Sequence, residues 1–184
     1  MTAPDTGSDN AAIARISGRV AWILTLALLA LPPGIVAYVQ LFPHQIVTWG
    51  WVAIAGFEPA PFPPLTAVAV IAVLLAYSAP IFWGLWELRR LFQGFAIGEV
   101  FTVAAAKRLR RCGIALMVLA TAGPAASIGL STALSMGRPP GVRKLVVGIG
   151  GDDVGFALIG VAILVIAQVM VEATRIAQEN AEFV

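Results

Sequence analysis

Charge is what this chain has least of. Asp, Glu, Lys and Arg make up 12% of its 184 residues and hydrophobic residues 59%, whereas a soluble domain is about 25% charged. So little charge cannot coat a soluble globule, and the class implied is an integral membrane protein. Cysteine is nearly missing as well. Cys112 stands alone, which excludes an internal disulfide and Cys-pair redox chemistry. His44 is the single histidine, and one imidazole cannot supply paired axial haem ligands or a multi-His metal centre. Its expected role is a solvated or hydrogen-bonded surface group. The net charge of +2 is small, and the basic residues cluster beside apolar runs, which argues against direct nucleic-acid binding.

What the chain does have is apolar length. Four runs, 20–39, 64–86, 112–135 and 154–171, are each long enough for a helix to cross a bilayer. None contains Asp, Glu, Lys, Arg or His. The stretch Glu87 to Gly113 holds Arg89, Arg90, Lys107, Arg108, Arg110 and Arg111, six of the 12 Lys and Arg in the chain. A dense basic loop between two spans marks the cytoplasmic side. With Arg15, Arg19 and Arg175 on the same side, basic residues divide nine to three, Arg138, Arg143 and Lys144 lying opposite. The predicted architecture is an all-α four-transmembrane-helix bundle with both termini inside. Residues 1–19 are expected as a disordered cytosolic tail, 20–171 as the membrane domain and 172–184 as a cytosolic C-terminal helix or tail. The first span is expected to be retained, since no Ala-x-Ala-like cleavage site follows it.

Local chemistry refines this outline. Pro32, Pro33, Pro80 and Pro124 fall inside spans, where kinks are expected. Ala30 with Gly34, and Gly123 with Ser127 and Ser131, have the small-xxx-small spacing that suits close helix packing. The outer stretch 40–63 interleaves Phe42, Trp49, Trp51, Phe57 and Phe62 with proline and glycine, as a segment lying at the headgroups would. A ligand-covering lid is the alternative there. In the second outer stretch, 136–153, Leu145 to Ile149 is a short apolar piece that could dip into the interface. Asp152 and Asp153 read as caps of the fourth helix rather than as a cation site. Gln168 is the one strongly polar side chain in any span, expected to bond a neighbouring helix. Between the second and third spans, Gly98 suits a positive φ that ends a helix, Phe101 can bury against the helices, and Thr102 is a natural N-cap for a helix from Val103. A phosphate-cradling loop would need more glycines and a following Lys-Ser/Thr.

Leu91, Phe92, Gly98, Glu99, Val100, Phe101 and Thr102, followed by Lys107, Arg108, Leu109, Arg110, Cys112 and Gly113, resemble the pattern of the bacterial domain of unknown function 2975 family. The end of the chain, Ala173 to Val184, is similar to that family's acidic close. The resemblance implies a small bacterial inner-membrane protein with four spans, of a kind often paired with a helix-turn-helix regulator. It implies no catalytic residue and no cofactor. The proline-rich outer stretch and the Arg-rich patch Leu109 to Arg111 depart from the pattern.

Two function classes stay open. One is a non-enzymatic, multi-pass membrane protein, regulatory or partner-binding. It would act through the inner residues Gly98, Phe101, Thr102, Lys107, Arg108, Arg110 and Arg111 together with the acidic tail around Glu179 and Glu182. Its partners would be bilayer lipid, a cytosolic or membrane protein, and further copies of the chain in a homo-oligomer. The other is a small oligomeric transporter or channel. The absence of ionisable residues from the four apolar runs counts against that class.

Overall fold

The computed structural model describes residues 6–47, 63–100, 102–136, 138, 139, 141 and 143–181. Trp49, Trp51, Phe57, Phe62, Phe101, Glu182 and the side chain of His44 lie outside what is described, with the readings attached to them. Among the described residues the fold is all-α: α1 Thr6–Leu41, α2 Pro43–Val47, α3 Pro64–Ala96, α4 Val103–Ser135 and α5 Gly151–Ala181. All but the short α2 are long and apolar enough to cross a membrane.

Each long helix overshoots its apolar run. The polar stretch expected as a disordered tail is helical from Thr6, where Ala11, Ala12 and Ala14 are strong helix formers. Pro32 and Pro33, Pro80 and Pro124 sit within helices that continue past them. The fourth long helix begins at Gly151, three residues before the apolar run, so Asp152 and Asp153 are its first turn. Such overshoot is reasonable because hydropathy locates the bilayer, whereas backbone hydrogen bonding and capping locate helix ends.

The chain forms two compact units. The first comprises Met1–Leu28, Phe82–Leu116 and Ile159–Val184, the second Leu29–Ile81 and Met117–Leu158. In the first unit, small residues allow close helix approach. A Cβ on Gly113 would sit 2.9 Å from Leu164 Cγ and 3.1 Å from the Gly160 carbonyl. In the second unit the core is Val39, Ile46, Val70, Leu130, Ala133 and Leu134. Gly129 packs onto Val73 there. Gly34, expected to admit a neighbouring helix, instead has nothing among the described residues within 4 Å of its Cβ position and lines a 490 Å³ apolar cavity with Leu31, Ile35 and Tyr77. Gln168 is exposed and makes no hydrogen bond among the described residues, contrary to the interhelical role expected of it.

Residues 143–150 between α4 and α5 have no helical or turn structure and lie along α4 in a regular way. Ser135 Oγ donates to the Lys144 carbonyl (3.0 Å) and accepts from the Lys144 amide (3.2 Å). Ser131 Oγ accepts from the Val146 amide and Ser127 Oγ from the Gly148 amide, each at 3.1 Å. Four residues of helix rise about 6.0 Å and two residues of extended chain about 6.6 Å. Serines every fourth position therefore meet alternate amides of a segment running antiparallel to the helix. The small-xxx-small face expected to receive a helix receives this extended chain instead. Thr132, off that face, is exposed and bonds its own helix at the Ile128 carbonyl.

Candidate functional site

The joint between α3 and α4 follows from three residue types. Gly98 has φ +87°, which glycine adopts without Cβ strain. The Glu99 amide bonds the Gly94 carbonyl (3.0 Å) and the Gly98 amide that of Phe95 (3.1 Å), the paired bonds of a Schellman helix ending. Thr102 Oγ1 then accepts from the Ala105 amide at 3.1 Å, an N-cap on the third helical residue. Ala106 makes the first full helical bond, to the Thr102 carbonyl.

This joint turns the basic residues of α4 back along α3, and the basic side chains then divide by role. Arg111 Nη1 lies 3.2 Å from Glu87 Oε1. Glu87 is 5% exposed, and its other oxygen, Oε2, is buried with no hydrogen-bond partner among the described residues. Arg108 Nη1 donates to the Arg90 carbonyl at 2.7 Å and passes beside Gly94, where a Cβ would meet it at 3.1 Å. Arg89 Nε donates to Thr25 Oγ1 at 2.7 Å, and Thr25 in turn bonds the Ala21 carbonyl. The guanidinium carbons of Arg89 and Arg90 stand 5.4 and 5.5 Å from the Trp86 ring centroid, within cation–π range. Cys112 is buried, its Sγ 3.7 Å from the Gly84 carbonyl.

Lys107 and Arg110 are different. Both are exposed, neither has a described hydrogen bond or ion pair, and their three-residue separation places them on one face of α4. The acidic tail does not meet them. Arg175 takes Glu172 and Glu179 within its own helix. No described ion pair joins the tail to the basic residues of α4. Of the residues singled out from the sequence, Gly98 and Thr102 thus make the joint, Arg108 and Arg111 are tied inward and Lys107 and Arg110 are directed out; of the other two arginines of the loop, Arg89 is tied to Thr25 and Arg90 stands over Trp86. Glu87 was missed because it follows Trp86, the last residue of the apolar run. A carboxylate followed at positions 89 and 90 by arginines was the available signal.

A second polar cluster, in the other unit, was read from the sequence only as a helix cap. Asp153 is 9% exposed. Its Oδ2 accepts from the Gly150 amide at 2.8 Å, the reach-back half of a capping box. Its carboxylate occupies the space beside Gly123, where a Cβ would lie 2.0 Å from Oδ1 and 2.6 Å from Cγ. Gly123 is twelve residues short of Ser135, about 18 Å along the helix and far from the end of its span. The extended segment carries the start of α5 down to that level. Among the described residues no group of three His, Cys, Asp or Glu side chains is placed to hold a metal ion.

No curated protein and no solved structure matches this chain. The sequence profile of a family described as protein of unknown function (DUF2975) matches residues 13–184, nearly the whole chain. With its four membrane-length helices and its glycine-threonine joint, the chain belongs to the DUF2975 family.

Proposed function

We propose that this chain is a non-enzymatic multi-pass protein of the bacterial inner membrane, with both termini cytosolic. In this reading it acts by presenting Lys107 and Arg110 to an anionic partner at the cytosolic surface. The observation that carries it is the division of labour among the basic residues. Positive-inside topology accounts for a basic loop, but not for one in which Arg89, Arg108 and Arg111 are held by protein acceptors while two cations stand free on one face. Free cations beside the membrane attract anionic lipid at about 1 kcal/mol each, and the same pair suits an acidic protein surface. The regulator implied by the family resemblance is one such partner.

Lys107→Gln with Arg110→Gln is the test, because both positions are exposed and Gln is also a good helix former. Helix content and thermal stability should be unchanged. Protein co-purified in mild detergent, or phosphatidylglycerol retained through purification, should be lost, and which of the two is lost identifies the partner. Retention of both would refute the reading. Arg108 and Arg111 are unsuitable for this test, since replacing them removes contacts between α3 and α4.

A transporter or channel is the second reading. It is favoured by Glu87 and Asp153, two carboxylates buried within membrane-length helices, since buried intramembrane ionisable groups mark ion and proton routes. Ion flux into proteoliposomes that Asp153→Asn abolishes would establish it.

A further inference from the structure

The extended segment 143–150 has two edges, and only one is used. Backbone groups of Lys144, Val146 and Gly148 face α4 and bond its serines. In an extended chain the amides and carbonyls of the intervening residues, Leu145, Val147 and Ile149, point the opposite way. None of them has a hydrogen-bond partner among the described residues. Their side chains are also open, at 68%, 63% and 76% exposure, and all are aliphatic. We propose that this edge pairs with the same edge of a second copy of the chain, forming a two-stranded antiparallel ribbon centred on Val147.

Three considerations select a second copy. The segment descends alongside Ser135, Ser131 and Ser127 of a membrane-length helix, into a region where open strand edges are not tolerated because lipid tails offer no donors or acceptors. Three consecutive outward residues present three amides and three carbonyls, which another extended chain can match in full and a helix cannot. The edge is also self-complementary. A two-fold axis through Val147 sets Leu145 opposite Ile149 of the second copy and Val147 opposite Val147, so every outward amide and carbonyl finds a partner and none is left over. Aliphatic side chains on all three residues exclude a charged or strongly hydrated occupant.

The register makes the idea testable by oxidative cross-linking in native membranes, using the full-length Cys112→Ser protein. Directly opposed, hydrogen-bonded residues have Cα atoms about 5.5 Å apart, inside disulfide reach. Leu145 and its counterpart would be about 14 Å apart, well outside it. Val147→Cys should therefore form a covalent dimer under copper-phenanthroline oxidation. Leu145→Cys alone should not, and Leu145→Cys combined with Ile149→Cys should. That double variant leaves Val147 in place and provides the same readout independently of any folding defect at position 147. Val147→Pro removes an amide that the protomer does not use, at a position whose extended backbone proline accepts. It should convert a detergent-solubilised dimer to monomer with helical circular dichroism unchanged. Failure of both the Val147→Cys and the double variant to cross-link would overturn the proposal. So would equal cross-linking of the two single variants, or a Val147→Pro protein that remains dimeric.

Discussion

Gly123→Ala should be among the most damaging single-methyl additions in the chain. In an exposed helix interior this exchange stabilises by about 1 kcal/mol, because alanine is the better helix former. At position 123 the added carbon would meet Asp153 Oδ1 at 2.0 Å, Cγ at 2.6 Å and Oδ2 at 2.8 Å. All three are inside any van der Waals contact, so the carboxylate must move. Moving it breaks the Oδ2 bond to the Gly150 amide, and loss of such a cap costs about 0.5–2 kcal/mol. Overpacking adds about 1–3 kcal/mol. The unfavourable terms win, leaving a net loss of roughly 0.5–4 kcal/mol and a melting temperature lower by about 1–16 °C for a chain of this size. Thermal unfolding in detergent, followed by circular dichroism, measures it. A double-mutant cycle isolates the cause. Asp153→Ala loses the cap but vacates the space, so Gly123→Ala should cost far less in an Asp153→Ala background than in the native protein. Additive effects, or a Gly123→Ala protein as stable as the parent, would show that Asp153 does not occupy the space beside Gly123.

Two further predictions concern the joint. Arg111→Gln leaves the buried Glu87 carboxylate uncompensated and should destabilise by about 1–3 kcal/mol, less than for a fully buried pair because Arg111 is 55% exposed; Glu87→Gln should restore most of the loss when the two are combined, as denaturant titration would register. Gly98→Val forces a branched side chain to φ +87° and should lower the folded yield sharply, with Gly98→Asn milder. Thr102→Ser should be silent and Thr102→Ala should cost about 1 kcal/mol, both read from thermal unfolding.

The spans were legible because twenty consecutive apolar residues have few alternatives to a membrane helix. The joint was legible because Gly98 and Thr102 act through local backbone chemistry, with no need of a distant partner. What escaped was set by contacts remote in sequence. Ser127 and Ser131 have the spacing of a helix-packing face, and serine hydroxyls do not announce whether a helix or an extended chain will arrive. The alternation in Leu145 to Gly150, with Gly148 and Gly150 on one side and Leu145, Val147 and Ile149 on the other, was the clue, and it becomes decisive only when set against the serine period. Asp153 looked like an ordinary outer-surface cap. It is indeed a cap, but one drawn down beside Gly123 by the extended segment that precedes it. Glu87 and Arg111 are 24 residues apart, and only the turn at Gly98 brings them together.

Everything proposed for the basic face depends on its lying in the cytosol, and cysteine accessibility in intact cells tests that most directly. In a Cys112→Ser background, Arg110→Cys should react with a membrane-impermeant maleimide only after lysis, while Gly141→Cys should react in intact cells; labelling of Arg110→Cys from outside would contradict the orientation and remove the basis for a cytosolic partner.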